Sequence, residues 1–298
     1  MADKRILHML SPLKHMSPFD VNMALDAGFD AVLPYTNVTL DEVSALVQDA
    51  IFSRPPQDGV KTGFFFAGKD AVLALDMLDK AKAAMVPPFV VSLFADPAGS
   101  FTTAAAMVAV AEKVLRAEQR TNLKGKHVAV FGATGVVGFC SAVIAALEGA
   151  VVTLIGHDGP DRVRRSAGEI LQRFGVKTAS ADGSTEALKA SLLGQCEIAF
   201  CAGRAGTRIL SLDELNAAKG LLIAADVNAV PPSGVEALDL FAAGAPIPGS
   251  KVLGIGPLAI GNVKYQTEAG LFGEMIKAKA PVSYDFRDAF ALARKLAG

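Results

Sequence analysis

The stretch from Val128 to Phe139, VAVFGATGVVGF, is a short apolar run, three glycines at three-residue spacing, and a second apolar run of a different period. Few patterns constrain a fold more, because a change from period 2 to period 3.6 across glycines predicts a strand, a tight turn and a helix. A dinucleotide turn needs Gly where the chain reverses, where backbone meets pyrophosphate and where helix packs on strand. Gly135 and Gly138 take the last two roles, and the first falls to Ala133 with Gly132 just before it. The loop is therefore a shifted form, G-x-x-G-x-x-G. Its candidate cofactor residues are Gly132, Ala133, Thr134, Gly135, Val136, Val137 and Gly138, with a helix N-terminus from about Val136 facing phosphate charge. A ligand-free glycine turn is the plain alternative, and the surrounding pattern weighs against it.

That pattern is α/β throughout. Short β-rich runs alternate with Ala-rich helical segments, which predicts parallel sheets covered by helices on both faces. Strands are expected at Ile6 to Leu10, Ala31 to Tyr35, Gly63 to Ala67 and Val90 to Phe94, with helices at Pro18 to Ala27, Leu40 to Phe52, Asp70 to Ala84 and Thr103 to Ala117. Capping boxes mark two helix starts, Ser17 to Asp20 and Thr39 to Glu42. The polar stretch Arg116 to Lys126 marks a domain crossing. Six strands then follow in succession: His127 to Phe131, Val151 to Ile155, Lys177 to Ser180, Glu197 to Cys201, Leu221 to Ala225 and Lys251 to Ile255. Helical pattern returns at Val263 to Lys279 and Tyr284 to Leu296. The expected division is residues 1–120 with about 265–298 as a substrate domain, and 121–264 as a doubly wound, Rossmann-like nucleotide domain. The last helix is expected to pack on the first domain.

The end of the second strand after the crossing selects between nicotinamide cofactors. A carboxylate there pairs ribose hydroxyls of NAD, and a cation accepts the extra phosphate of NADP. Both charges are present: Asp158 stands near the NAD position, while His157, Arg162, Arg164 and Arg165 suit a phosphate. Use of both NAD and NADP is the expectation; for the arginines a solvated helix face is the alternative. Three more loops lie at strand C-termini, where open α/β sheets bind ligands: Ala202 and Gly203, Asp226 and Asn228, and the Gly-rich run Gly254 to Asn262.

Composition narrows the classes. The 298 residues are 51% apolar and 20% charged with net charge −1, which fits a globular protein and gives no sign of a nucleic-acid surface. Apolar runs are broken every few residues, short of the roughly 20 a bilayer span needs, so no membrane partner is expected. The start MADKRILHML lacks a signal-peptide core, which makes a cytoplasmic location the expectation. Cys140, Cys196 and Cys201 have unrelated spacings and apolar neighbours, so buried reduced thiols are expected and no metal site.

An α/β unit placed before a nucleotide unit leaves a cleft for a small molecule. Asp20 at a helix start, Asn37 after a strand, and Thr102 and Thr103 at another helix start are candidate polar groups for it. Capping and turn roles are the competing readings for each.

Six segments in order, FDVNMALDAG (Phe19 to Gly28), YTNVT (Tyr35 to Thr39), GSFTTAAAMVAV (Gly99 to Val110), GATGVVG, ADVNAVPPSG (Ala225 to Gly234) and GIGPLAIG (Gly254 to Gly261), resemble the NAD(P)-dependent methylene-tetrahydromethanopterin dehydrogenases of methylotrophic bacteria. The resemblance spans nearly the whole chain. It implies hydride transfer from the one-carbon bridge of 5,10-methylene-tetrahydromethanopterin to NAD(P)+ in one-carbon metabolism (formaldehyde oxidation), Asp20 and Lys264 as catalytic residues, and Asn37, Thr102, Thr103 and Asn228 as substrate contacts. His157 followed by Asp158 is similar to the branch that accepts both cofactors. The resemblance also implies a homo-oligomer, a trimer among its forms. The folate dehydrogenase/cyclohydrolases share the architecture but need a Tyr-x-x-x-Lys pair, which none of Tyr35, Tyr265 and Tyr284 supplies, so no cyclohydrolase activity is expected. A methylene-tetrahydrofolate or other small-substrate dehydrogenase, and a non-catalytic NAD(P)-sensing regulator, are the alternatives.

Overall fold

The structure is a computed structural model that describes residues 4–119 and 121–298. Met1 to Asp3, at the start read for a signal peptide, and Arg120, inside the polar stretch, lie outside the described residues. The chain packs as two compact units, Met1–Thr102 with Tyr265–Leu292, and Thr103–Lys264 with Ala293–Gly298. The division falls within helices and not in the polar stretch. Physically, Ala104 to Ala111 and Val114 are almost wholly buried, so that length of helix is core and not linker.

In the first unit β1 (Ile6–Leu10), α1 (Pro18–Ala27), β2 (Ala31–Tyr35), α2 (Val43–Phe52), β3 (Thr62–Phe66), α3 (Ala71–Ala84), β4 (Ser92–Ala95) and the start of α4 (Ser100–Val114) alternate as expected. β1, β2 and α1 have the expected bounds, while β3 begins one residue early and β4 two residues late. At α1 the Ser17 hydroxyl accepts from the Asp20 N–H at 3.4 Å and Pro18 occupies the first turn, where its missing N–H costs nothing. At the turn entering α2, Glu42 accepts from both the N–H and the hydroxyl of Thr39, at 2.7 and 2.8 Å.

The second unit holds β5 (His127–Phe131), α5 (Val136–Leu147), β6 (Val151–Gly156), α6 (Asp161–Phe174), β7 (Ala179–Asp182), α7 (Glu186–Leu193), β8 (Ile198–Cys201), α8 (Leu212–Ala217), β9 (Ile223–Asp226), β10 (Ala243–Pro246), β11 (Leu253–Ile255) and the first residues of α9 (Pro257–Lys277). β12 (Ser283–Tyr284) and most of α10 (Phe286–Ala297) return to the first unit, with Ala293–Gly298 in the second.

Each unit has one sheet. The first runs β12-β4-β3-β1-β2, all parallel. Behind it Phe65, Phe94 and Phe272 pack ring on ring with centroids 5.1 to 5.5 Å apart, so α9 closes that face. The second sheet runs β10-β11-β9-β8-β5-β6-β7, parallel except for β10 against β11. Its order reverses between β5 and β8, and ligands of doubly wound sheets bind at such a switch point. The glycine turn leaves β5 at this place.

Three sequence expectations change. β10 and β12 were not expected: Ala-Gly-Ala-Pro has no alternation, and two residues carry no period. α9 begins at Pro257, so Gly254 to Asn262 is the end of a strand and the start of a helix and not a glycine loop. Proline at the first helical position, followed by good helix formers, is the physical reason. Pro97–Glu118 is long and apolar enough to cross a membrane, but 78% of that window is buried inside the protein, as in a core helix.

Candidate active site

Gly132 makes the tight turn after β5. Its φ is +77°, Gly135 N–H donates to its carbonyl at 2.9 Å, and a Cβ there would lie 2.2 Å from the Ala202 carbonyl oxygen. The turn role thus belongs to Gly132 and not to Ala133, which is fully buried. A Cβ on Gly138 would meet the Gly132 carbonyl at 2.4 Å, so this glycine sets α5 against the turn. Gly135 differs: a Cβ there would meet only the Gly132 carbonyl oxygen, at 3.4 Å, an ordinary van der Waals contact. The three glycines therefore divide into one for the turn, one for packing and one, Gly135, where a side chain is tolerated, beside Val136 and Val137, whose N–H groups belong to the first turn of α5.

At the end of β6 four of the expected residues come together. The Arg162 guanidinium lies 3.2 Å from the Asp158 carboxylate and 3.4 Å from the Thr134 hydroxyl of the glycine turn. His157 Nδ1 is 3.9 Å from Asp158. The side chains of His157, Asp158 and Arg162 are all well exposed, and the Arg162 hydrogen bond holds the Asp158 carboxyl below its ordinary range. Arg164 pairs with Asp161 at 2.7 Å on the solvated face of α6.

At the ends of β8 and β9 polar side chains are turned inward. Ala202 packs its carbonyl against Gly132, and a Cβ on Gly203 would lie 2.8 Å from Ile209, so these residues let two loops close. Asp226 is fully buried, and its carboxylate accepts from the N–H groups of Asn228, Gly234 and Val235 at 3.0, 2.7 and 3.2 Å. Burial pushes its pKa up while those donors pull it back. The Asn228 side chain accepts from Val230 N–H at 2.9 Å and donates to the Pro232 carbonyl at 3.0 Å. Both side chains are braces of their own loop. A Cβ on Gly254 would lie 2.4 Å from the Leu238 side chain, so this glycine serves packing within β11. Lys264 is half-buried on α9.

In the first unit Asp20 is 1% exposed, on the first turn of α1. Asn37 is exposed with φ +57°, a left-handed conformation that Asn tolerates best after Gly. Thr102 is buried and its hydroxyl donates to Asp96 Oδ2 at 2.6 Å, so it serves the start of α4; Thr103 is half-buried one position on. Asp96, not expected from the sequence, also accepts from Phe101 N–H at 2.8 Å. An Asp-Pro pair four residues ahead of a helix is the signal that points to it. The three cysteines are buried, and burial pushes the Cys196 thiol up to about 11 and raises that of Cys201 well above the ordinary thiol range.

A doubly wound sheet with its switch point under a glycine turn, a charged pair at the end of β6 and a separate parallel α/β unit define a two-unit α/β protein of the Rossmann-like class. The N-terminal profile of methylene-tetrahydromethanopterin dehydrogenases matches residues 18–98. Over 295 residues, 99% of each chain, the protein is 53% identical to the NAD(P)-dependent methylenetetrahydromethanopterin dehydrogenase of Methylorubrum extorquens. It is 31% identical over 99% of each chain to the bifunctional protein MdtA of the same organism. The chain belongs to the methylene-tetrahydromethanopterin dehydrogenase family. Quinate dehydrogenase from Corynebacterium glutamicum, solved with NAD, has the same fold with a TM-score of 0.55 at 14% identity, covering 97% of this chain and 98% of that one.

Proposed function

We propose that the protein oxidises the one-carbon bridge of 5,10-methylene-tetrahydromethanopterin to the methenyl cation with NAD+ or NADP+. Full-length similarity at 53% identity to a dehydrogenase of that description carries the reading. The glycine turn supports it, because it opens α5 at the switch point of the sheet, and at Gly135 no side chain stands between the backbone and a phosphate. The residues fit a nicotinamide dinucleotide: Gly132 to Gly138 would hold its phosphates, and Thr134, His157, Asp158 and Arg162 its ribose and any 2′-phosphate. When bound, that cofactor accepts the hydride.

Losing hydride from a carbon held between two nitrogens leaves a delocalised amidinium, so no proton is removed and no general base is required. The work of the chain is orientation and electrostatics. Asp20, a carboxylate almost wholly out of solvent, is the group we assign to stabilise the developing positive charge. Lys264 is assigned to positioning the pterin ring, with Asn37, Thr103 and the loop braced by Asn228 as further contacts. Dehydrogenase chemistry without cyclohydrolase activity, a homo-oligomeric state, a cytoplasmic location and the absence of nucleic-acid or membrane partners are parts of the same proposal.

The test is absorbance of reduced nicotinamide in a mixture of protein, methylene-tetrahydromethanopterin and NAD+ or NADP+. A pterin-dependent signal is expected with both cofactors, and Asp20→Asn lowers kcat while the unfolding temperature holds. Cofactor binding with no turnover of any pterin or folate would replace the enzyme with a sensor, and hydrolysis of the methenyl product would restore a second activity.

A further inference from the structure

The loops after β8 and β9 meet around a buried carboxylate. Asp226 ends β9 with no exposed surface, and its oxygens accept from the N–H groups of Asn228, Gly234 and Val235, which stand two, eight and nine residues further along. One side chain thus gathers the whole loop back onto the strand end. A Cβ on Gly234 would lie 2.8 Å from this carboxylate, so glycine is what lets the chain pass so close. The group must be a carboxylate and not an amide, because an asparagine side chain would turn N–H donors toward backbone N–H donors.

That order is passed to the loop after β8. The Gly234 carbonyl accepts from Ile209 N–H at 2.7 Å and Leu210 N–H at 2.9 Å, and Glu236 N–H donates back to the Leu210 carbonyl at 2.9 Å. Outside this pairing Arg208 Nε donates to the Ser233 carbonyl at 2.9 Å and the guanidinium lies 3.1 Å from Glu236. At its other end the same loop packs on the glycine turn, since Ala202 N–H donates to the Phe131 carbonyl at 3.0 Å and the Ala202 carbonyl oxygen stands 2.2 Å from where a Gly132 Cβ would lie. Contacts therefore run without a break from Asp226 through Gly234, Ile209 and Ala202 to Gly132.

The order β9-β8-β5-β6 gives these loops their place along a dinucleotide. With ribose at the end of β6 and phosphates at the glycine turn after β5, the remaining half of the cofactor continues over β8 and β9, whose strands lie about 5 and 10 Å beyond β5. Residues 227–232 carry no ionisable side chain, and Ala229, Val230, Pro231 and Pro232 are exposed, a surface suited to a flat ring. We propose that Asp226 is a positioning residue for hydride transfer, its carboxylate fixing the loops after β8 and β9 as the seat of the nicotinamide ring. Being wholly buried, Asp226 acts through these loops and not by touching the cofactor. The inference rests on the dehydrogenase reading above and deepens it.

The test compares NADH with ADP-ribose, which keeps the adenosine and both phosphates and lacks the nicotinamide, by calorimetric titration of Asp226→Asn. The Kd for NADH is expected to rise about 10-fold while that for ADP-ribose changes less than about 2-fold, and kcat with methylene-tetrahydromethanopterin should fall about 10-fold or more. A purely structural brace would weaken both ligands alike, so equal losses in the folded variant overturn the inference, as does an unchanged NADH affinity. Should Asp226→Asn not fold, Arg208→Gln removes only the outer bond to Ser233 and should show the same split at about 3-fold; no split there overturns the inference. A wild-type protein that binds both compounds, with the variants failing as stated, leaves the functional reading standing, whereas one that binds neither removes both.

Discussion

The Arg162 guanidinium lies 3.2 Å from the Asp158 carboxylate, so the cation suited to a 2′-phosphate and the carboxylate suited to ribose hydroxyls neutralise each other at the end of β6. If this pair meets the cofactor as proposed, each cofactor recruits one member of the pair and releases the other. Arg162→Gln is therefore expected to weaken NADPH binding about 10-fold while NADH changes less than about 2-fold. Asp158→Asn should weaken NADH and spare NADPH. Fluorescence titration of both reduced cofactors reads the ratio; equal losses in Arg162→Gln would sink the exchange.

Asp96 is expected to matter for folding more than for chemistry. Its carboxylate is fully buried and accepts from Phe101 N–H and the Thr102 hydroxyl at 2.8 and 2.6 Å. Asp96→Ala leaves the Phe101 N–H without its acceptor away from water and leaves the Thr102 hydroxyl only its longer bond to the Gly99 carbonyl at 3.2 Å, a cost of about 1 to 3 kcal/mol for a lost cap. Urea denaturation should show the midpoint fall in Asp96→Ala, with Asp96→Asn intermediate. A surface acid such as Asp26 serves as the control, and a midpoint shift no larger than its Ala variant shows would refute the cap.

His8 is expected to make the fold sensitive to acid. The ring is half-buried in β1, stacks on Phe64 with centroids 5.1 Å apart and has Nδ1 3.1 Å from the Tyr35 hydroxyl. Burial first, and the charge of Arg54 second, hold its pKa below the ordinary 6.5. Below pH 6.5 the unfolded chain then binds a proton that the folded chain resists, so this contribution to stability is present above 6.5 and lost as pH falls through the depressed folded value. His8→Gln keeps an acceptor for Tyr35 and removes the titration. The drop in Tm between pH 7.5 and 5.5 should be smaller in this variant; an identical drop would place the acid sensitivity elsewhere.

What could be read from the letters follows from how local each cause is. β5 and the start of α5 at Val136 were legible because the period change and the glycines all lie within twelve residues. β10 was not: Gly244, Pro246 and two alanines give no strand pattern, and only its partner β11 makes it one. Pro257 was hidden between Gly256 and Gly261, although proline is itself a helix-start signal. Asp226 and Asn228 show a different limit. A polar residue at a strand end is visible in sequence, but whether it faces a ligand or its own loop depends on where the chain goes over the next nine residues. Thr102 was ambiguous for the same reason, since its partner Asp96 decides its role.

Gly132 and Gly135 separate folding from binding. At Gly132 a Cβ must share space with the Ala202 carbonyl at 2.2 Å and adopt φ +77°, so Gly132→Ala displaces backbone. Strain and overpacking of this kind cost about 2 to 4 kcal/mol and should lower both the unfolding temperature and cofactor binding. At Gly135 φ is −90° and the nearest neighbour of a Cβ is at 3.4 Å, so Gly135→Ala fits the protein alone. It does not fit a pyrophosphate lying against the backbone. Gly135→Ala is expected to unfold within about 2 °C of the wild type, or higher, because the extra methyl restricts the unfolded chain. Its NADH and NADPH affinities should fall about 10-fold or more, as when a few ångströms of approach are denied to a charged contact. Unimpaired cofactor binding in a folded Gly135→Ala protein would mean that the dinucleotide does not pass over this turn.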